Sequence, residues 1–361
     1  MNTTLNRLPV PTWNRLGVNF APAAAALPAV PDGGWGAAQV AESPLPAGVC
    51  AAAPDFADFS ASGMGADADA WVRQNANFVR HIAVNETVSA PLIYETTLDD
   101  AHPAAVEYLT VDAAAHTRLT VVQVLRGDVE NGAAAQLTRI RAGQGAVVTL
   151  VQVQLLGSRV RRWNAVAAET AQGGKVEQVR LELGGALTVC GTRAFLHSCR
   201  AAYELTAAYY GSGKQLLDFN DVSVHTAKDT VCEMHTAGVL TDEADKILRG
   251  TVDFQRGAVN GIGHESEDVL LFDPRVRNRT APLILCGEER VEGQHAASVG
   301  RLDEAKLYYL RSRGLSAAQA RRLMVDARFA PAIEKLPGEA LRQEVRHFVA
   351  ERLDAYEPLD R

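Results

Sequence analysis

The chain has 361 residues, and its 36 lysine and arginine residues against 43 aspartate and glutamate residues give a net charge of −7. One core usually takes about 100–200 residues, so this length predicts two or three units or one elongated repeat. The acidic balance offers no broad cationic surface for phosphate backbones, which argues against nucleic acid as a general partner.

Residues 1–80 form an N-terminal region that is rich in alanine and proline. It contains RLPVPTW at residues 7–13, and its composition predicts a loosely ordered, partly helical region. Its most apolar run, residues 21–30, is broken by Pro22 and Pro28 and is far shorter than the roughly 20 residues that cross a bilayer. We therefore interpret that run as a linker and expect no membrane partner.

Between residues 81 and 300 apolar residues tend to alternate with polar ones, which predicts short β-strands. The alternation is clearest in KVEQVRLELGG, residues 175–185. We expect the apolar residues of this segment to face the core: Val179, Leu181 and Leu183. The polar residues between them are expected to face solvent: Gln178, Arg180 and Glu182.

Glycines interrupt these strands at short intervals, and no long amphipathic helix intervenes between residues 117 and 240. This pattern is typical of three architectures, namely a sandwich, a barrel and a stacked solenoid such as a parallel β-helix. Periodicity alone does not choose among them, because all three need short alternating strands and frequent turns.

The acidic segment HESED, residues 264–268, is not the zinc motif HExxH, because Asp268 replaces the second histidine. It leads into the apolar run VLLF, so we interpret its acidic residues as a solvent-exposed edge.

After Gly300 the pattern becomes helical and predicts a small C-terminal unit, residues 301–361, of three short amphipathic helices. The first helix is expected to begin near Asp303 and Glu304 and to end at Gly314.

Ser316 and Gln319 form a capping-box pattern that predicts the start of the second helix. Its apolar face is predicted to contain Ala320, Leu323, Met324 and Ala327. The third helix follows LPG at residues 336–338. Its predicted apolar stripe is Leu341, Val345, Phe348, Val349 and Leu353.

His295 lies just before the change from strands to helices, in a small and weakly charged setting that includes Gly293 and Ala297. Two interpretations are open on chemical grounds: a site residue at a junction, or a histidine that caps the last strand by hydrogen bonds to free carbonyls.

The five cysteines are odd in number and include no CxxC pair: Cys50, Cys190, Cys199, Cys232 and Cys286. This pattern argues against a disulfide framework or a zinc knuckle and predicts a reducing, cytoplasmic location.

Several ordered segments resemble the SufB/SufD family of iron–sulfur cluster assembly scaffolds. They are GTVDFQRGA (250–258), ESEDVLLFDP (265–274), PLILCGEERVEGQHAASVGRLDE (282–304) and LYYLRSRGLS (307–316). The similarity is dense from about residue 216 to 329 and looser upstream, and RLPVPTW resembles the N-terminal segment of that family.

The resemblance implies a mainly β fold, with a right-handed parallel β-helix over residues 81–300 between the N-terminal region and a helical domain at 301–361. It implies a non-enzymatic scaffold of the SUF complex that pairs with a SufB protomer through the β-helix. The C-terminal helices would dock the ABC-type ATPase SufC. The implied docking residues are Tyr309, Arg311, Ser312, Arg313 and Gly314, whose arginines are otherwise solvated charges at a helix end.

Within this family the SufD type is the better match. Iron–sulfur clusters need thiolates, with histidine as an occasional substitute, and the cysteine of SufB-type chains is missing from the matching segment, residues 269–283. The histidine of the SufD type is present as His295, whereas Gly293 stands where many SufD chains have a cysteine. Cys286 is the nearest thiol, either as a ligand or as an inert thiol within an apolar strand.

The implied cofactors belong to the complex: a transient iron–sulfur cluster shared with SufB, ATP on SufC, and a reduced flavin. No cofactor would be held tightly by this chain alone. In the absence of SufB two states are open, a homodimer and a single chain. The alternative is a β-solenoid enzyme acting on carbohydrate or acyl substrates. Such an enzyme needs catalytic side chains gathered in a groove, and no such cluster occurs at strand spacing.

Overall fold

The structure is a computed structural model that describes residues 4–27, 38–51, 59–301 and 304–356. Over these residues the chain forms eighteen β-strands, four α-helices and two 3₁₀ turns. The helical elements are the 3₁₀ turns Asn14–Leu16 and Ala23–Ala25 and the helices α1 (Ala66–Asn75), α2 (Glu304–Ser312), α3 (Ala317–Ile333) and α4 (Glu339–Asp354). The strands are β1 (Gln39–Glu42), β2 (Val49–Ala51), β3 (Phe78–Val84), β4 (Leu92–Thr97), β5 (Ala104–Ala113), β6 (Arg118–Gly127), β7 (Ala133–Ala142), β8 (Val147–Leu156), β9 (Arg161–Thr170), β10 (Lys175–Glu182), β11 (Leu187–Leu196), β12 (Ala202–Gly211), β13 (Leu216–His225), β14 (Val231–Leu240), β15 (Asp245–Phe254), β16 (Gly261–Leu271), β17 (Arg277–Cys286) and β18 (Val291–Arg301).

The strands form two nine-stranded sheets, and from β3 onward successive strands alternate between them. We call them the even and the odd sheet after the strands from β3 onward. The even sheet has the order β1-β4-β6-β8-β10-β12-β14-β16-β18, and the odd sheet has the order β2-β3-β5-β7-β9-β11-β13-β15-β17. From β3 onward each strand pairs in parallel with the strand two places later, so that Leu187, Leu216 and Asp245 stack in register. The chain is therefore a parallel β-solenoid of about eight turns. The predicted mainly β, parallel β-helix fold is confirmed, and the sandwich and the barrel are not.

One column of turns locks successive coils together. Its corner residues all adopt positive φ angles between 59° and 64°: His116, Gly145, Gly173, Arg200, Asp229 and Asn260. The backbone N–H of each donates to a carbonyl in the turn of the next coil, as in the 3.0 Å bond from Gly145 N to Gln172 O. Glycine at some corners relieves the strain of this left-handed conformation.

The first end of the solenoid is closed by two short antiparallel strands, since β1 pairs with β4 and β2 pairs with β3. The N-terminal segment then lies along the outer face of the odd sheet. There Asn6 Nδ2 donates to Asp218 Oδ1 at 2.6 Å, and Arg249 forms a buried ion pair with the same carboxylate. None of the helices described in this chain is long and apolar enough to cross a membrane.

Helices α3 and α4 cover the outer face of the even sheet, where Val325, Phe329 and Val349 pack against apolar strand residues. The predicted capping box is present, because Gln319 N donates to Ser316 Oγ at 3.1 Å and Ser316 N donates to Gln319 Oε1 at 2.8 Å.

The predicted face of α3 is partly wrong. Leu323 is 50% exposed and Ala327 is also exposed. The buried residues of this helix are Ala320, Val325, Phe329, Ala332 and Ile333. The stripe of α4 is confirmed, with Val345, Val349 and Leu353 buried and Leu341 and Phe348 packed against the same core. The start of the first helix at Asp303 falls outside the described residues.

The predicted orientation of β10 is reversed. Gln178, Arg180 and Glu182 point into the lumen between the two sheets, where each is about 1% exposed. The apolar residues Val179 and Leu181 instead face outward and are buried beneath the C-terminal helices. Alternation fixes which residues share a face, but here both faces are covered, so it does not say which face lies inside.

Charged side chains fill part of the lumen as ion pairs that bridge the two sheets. Arg162 Nε lies 2.9 Å from Glu182 Oε2, and Arg180 Nη2 lies 2.7 Å from Asp221 Oδ2. All four residues are 2% exposed or less. The charges are tolerated because each has an opposite partner and further hydrogen bonds.

Candidate functional site

The second end of the solenoid is open. Strands β17 and β18 end the two sheets, and within the described part of the chain nothing pairs with their outer edges. They have ten and eleven residues, and most of β18 is exposed. Long unpaired strand edges present free N–H and C=O groups to another chain.

His295 lies near the middle of β18 and faces the lumen side of this open end. It is in register with Glu265 of β16, and neighbouring parallel strands place such pairs on the same face. A side chain at Gly293, two residues away, would meet Ile284 of the opposite sheet at 2.9 Å, which confirms that this face looks inward. The imidazole is exposed, since among the described residues no further coil covers it.

Cys286 is the last residue of β17 and is exposed, so the interpretation of an inert core thiol is wrong. It is in register with Phe254 of β15, at the turn that leads into β18. Ile284 of β17 lies opposite Gly293 of β18. Cys286 lies two residues from Ile284 toward the turn between the strands, whereas His295 lies two residues from Gly293 away from that turn. They are roughly 13 Å apart along the strands, and one metal ion cannot contact both side chains.

The interpretation of ESED as a solvent-exposed edge is wrong for two of its residues. Glu265 and Glu267 point into the lumen and are 8% and 2% exposed. Glu267 forms an ion pair with Lys246 at 2.5 Å and accepts hydrogen bonds from Tyr209 and Thr280. The alternating pattern of GIGHESEDVLL indicates this inward orientation, because it places both glutamates on the face that also holds the buried Val269.

Glu265 differs from its neighbour. Its carboxylate reaches across the lumen to Gly250 of β15, where an added Cβ would lie 2.0 Å from Oε1. Burial, with a smaller contribution from the nearby charge of Glu267, raises the pKa of Glu265 to about 7. The carboxyl group can therefore hold or release a proton near neutral pH.

The five docking residues implied by the family resemblance lie at the C-terminal end of helix α2 and in the turn that follows it. Gly314 ends the helix with a φ of 94°, while Leu315 N donates to Leu310 O at 3.3 Å. Arg313 lies over the ring of Tyr309 at 5.2 Å, and Tyr309 is 56% exposed. A surface depression of about 750 Å³ beside this helix end is lined in part by Tyr308, Arg311, Ser312 and Gly314.

The described residues contain no group of three or more histidine, cysteine, aspartate or glutamate side chains that could hold a metal ion. The buried His225 and Cys232 are in the lumen on opposite sheets, and His235 faces outward with Ser266 as its hydrogen-bond partner. Among the described residues, this chain therefore offers a metal ion at the open end at most two such side chains.

The comparisons agree with this architecture. Residues 96–328 match the family described as "SUF system FeS cluster assembly, SufBD core domain". The iron–sulfur cluster assembly protein SufD of Bacillus subtilis (strain 168) is 26% identical over 269 residues, which cover 74% of this chain and 61% of that protein.

Two further relatives match shorter stretches. SufD of Escherichia coli (strain K12) is 28% identical over 115 residues, which cover 32% of this chain and 27% of that protein. A SufBD family protein of Staphylococcus saprophyticus is 28% identical over 180 residues, which cover 49% of this chain and 38% of that protein. The chain thus spans less than two thirds of the length of these relatives. It belongs to the SufB/SufD family of the SUF iron–sulfur cluster assembly system and is most like SufD.

Proposed function

We propose that this chain is a scaffold subunit that pairs with a SufB-type protomer through the open end of its solenoid. The observation that carries the proposal is the pair of long strands β17 and β18, whose outer edges have no strand partner among the described residues. The other end is closed by β1 and β2, so the two ends differ in what they offer a partner.

His295 is the proposed contact of this chain with a nascent iron–sulfur cluster. Its imidazole is exposed at the open end, so a partner docked there would meet it directly. Imidazole can replace a thiolate as a cluster ligand, and the partner would supply the thiolates. Cys286 is exposed at the same end but lies roughly 13 Å along the strands from His295, so we assign it no shared ligand role.

Helix α2 is the proposed docking element for a SufC-type ATPase. Its exposed Tyr308 and Tyr309 lie beside the basic Arg311 and Arg313. Aromatic and arginine side chains are the residues that most often dominate protein–protein interfaces. ATP would bind to that partner, and a reduced flavin would act in the assembled complex.

The alternative of a carbohydrate or acyl enzyme has less support. Glu182, Asp221 and Glu267 are buried in ion pairs within the lumen, where an extended substrate has no access to them. Catalytic carboxylates of such enzymes lie in an open groove.

Anaerobic reconstitution of the complex with SufB-type and SufC-type partners tests the cluster role. We expect His295→Ala to lower the yield of iron–sulfur cluster, measured by visible absorption and by iron and sulfide content. Cys286→Ser serves as a control at the same end of the solenoid and should retain the wild-type yield. A normal yield with His295→Ala would remove the proposed cluster ligand.

Binding measurements with a SufC-type ATPase test the docking role. Tyr309→Ala should weaken the association by about tenfold or more, the loss expected when an aromatic interface anchor is truncated. Trp13→Ala is the matched control, because Trp13 is an 80% exposed aromatic residue on the N-terminal segment. Point variants are preferred to deletion of residues 301–361, since deletion would uncover the apolar sheet face beneath α3. Equal affinity for wild type and Tyr309→Ala would contradict this assignment.

A further inference from the structure

We propose that Glu265 is a second ligand, beside His295, for a ferrous ion at the open end of the solenoid. The inference rests on the proposed function, because it adds a carboxylate to the same site. The two side chains would supply one oxygen and one nitrogen, and the other coordination positions would be open to water or to ligands of the partner.

Among the described residues, Glu265 has no hydrogen-bond or ion-pair partner, unlike the other lumen carboxylates of this region. Glu267 is paired with Lys246, and Asp221 is paired with Arg180. Among the described residues, the carboxylate of Glu265 accepts no hydrogen bond and forms no ion pair, although the residue is only 8% exposed. Buried polar groups are almost always hydrogen-bonded, so an unpaired carboxylate at this depth is available to water or to a ligand.

His295 supplies the second donor atom, an imidazole nitrogen. Its Cα is the register partner of Glu265, and adjacent strands are about 4.8 Å apart, so the two side chains point side by side into the same space. Gly250 leaves room for the carboxylate itself, because a Cβ there would lie 2.0 Å from Oε1 of Glu265. The small residues Gly293 and Ala297 flank the histidine, and the imidazole is exposed. The exposed imidazole makes no hydrogen bond to the described part of the chain and is free to turn toward the carboxylate.

The donor set determines the class of ion. A carboxylate oxygen together with an imidazole nitrogen suits divalent first-row metals such as iron, whereas magnesium and calcium prefer oxygen ligands alone. The site lies at the end where cluster assembly is proposed, so we assign it to Fe²⁺. Two protein ligands give modest affinity, which suits an ion that must later be transferred.

Anaerobic calorimetric titration of the full chain with Fe²⁺ tests the inference. Glu265→Gln and His295→Ala should each raise the Kd by about tenfold or more, since even the loss of an outer partner of a metal ligand costs 10–100-fold. The double variant should bind little more weakly than either single variant, because both side chains hold one ion. Glu265→Gln removes an unpaired buried charge and should melt no lower than wild type, which circular dichroism checks.

The outer face of the same coils provides matched controls. His264 Nδ1 lies 2.9 Å from Glu233 and its Nε2 lies 3.2 Å from Glu292, so this exposed histidine already has two carboxylate partners. His264→Ala and Glu233→Gln should leave Fe²⁺ binding unchanged.

The outcomes separate this inference from the proposed function. If Glu265→Gln binds Fe²⁺ normally and His295→Ala loses Fe²⁺ binding, the proposed role of Glu265 is wrong and that of His295 stands. Loss of Fe²⁺ binding in His264→Ala alone would place the ion on the outer face and overturn the inference. A wild-type chain that binds no Fe²⁺ would also overturn it. Failure of the proposed function would appear separately, as a chain that does not associate with SufB-type and SufC-type partners.

Discussion

At the scale of single residues, the lumen of this solenoid is polar as well as apolar. Arg162 with Glu182 and Arg180 with Asp221 are removed from water as closely matched pairs. Removing one member of such a pair costs about 3–5 kcal/mol, because the other charge is left buried alone. These residues therefore fix the way the two sheets face each other, and Glu265 stands out because it has no such partner in the part of the chain that the structure describes.

The burial of His225 predicts that the stability of the chain depends on pH. The histidine is buried between Thr230 and Ser223 and lies 4.7 Å from the ring of Phe254, and burial lowers its pKa to about 4 from an ordinary value near 6.5. Below pH 6.5 the unfolded chain gains a proton that the folded chain does not, so stability falls between pH 6.5 and 4. The full loss is on the order of 3 kcal/mol.

Denaturant melts at several pH values check this prediction. His225→Gln should abolish that part of the pH dependence, whereas His197→Gln, a variant of an exposed histidine, should behave like wild type. Identical pH profiles for wild type and His225→Gln would show that His225 does not carry the effect.

At the scale of elements, the sequence predicted the strands well and their orientation poorly. The alternation in residues 175–185 correctly separates two faces of β10, but helices α3 and α4 cover the outer face, so the apolar side is not the lumen side. Local patterns such as the Ser316–Gln319 capping box were predictable because they depend on neighbours in sequence. The buried face of α3 was not, because it depends on the sheet beneath it.

Helix α3 allows a direct test of this packing. Phe329→Ala should destabilise the chain by about 3–5 kcal/mol, because it removes a fully buried ring from the contact with the even sheet. Leu323→Ala on the same helix should change stability by less than about 0.5 kcal/mol, since Leu323 is 50% exposed. Chemical denaturation measures both, and similar losses in the two variants would show that α3 packs on a different face.

At the scale of the whole molecule, the two ends of the solenoid are unlike. One is closed by antiparallel strands, and the other exposes β17 and β18 with His295 between Gly293 and Ala297. The sequence identified His295 because the resemblance and the small neighbouring residues both indicated it. It missed Glu265, because an acidic residue in a strand is usually exposed, and only the register of β16 with β18 places the two side chains together.

Association with a SufB-type partner measured by analytical ultracentrifugation tests the open-end interface most directly. Ala297→Arg places a long charged side chain on the exposed lumen face of β18, and Ala115→Arg places the same side chain on an exposed turn elsewhere in the solenoid. We expect wild type and Ala115→Arg to form the heterocomplex and Ala297→Arg to bind at least about tenfold more weakly. A folded Ala297→Arg variant that binds the partner as tightly as wild type would contradict the account.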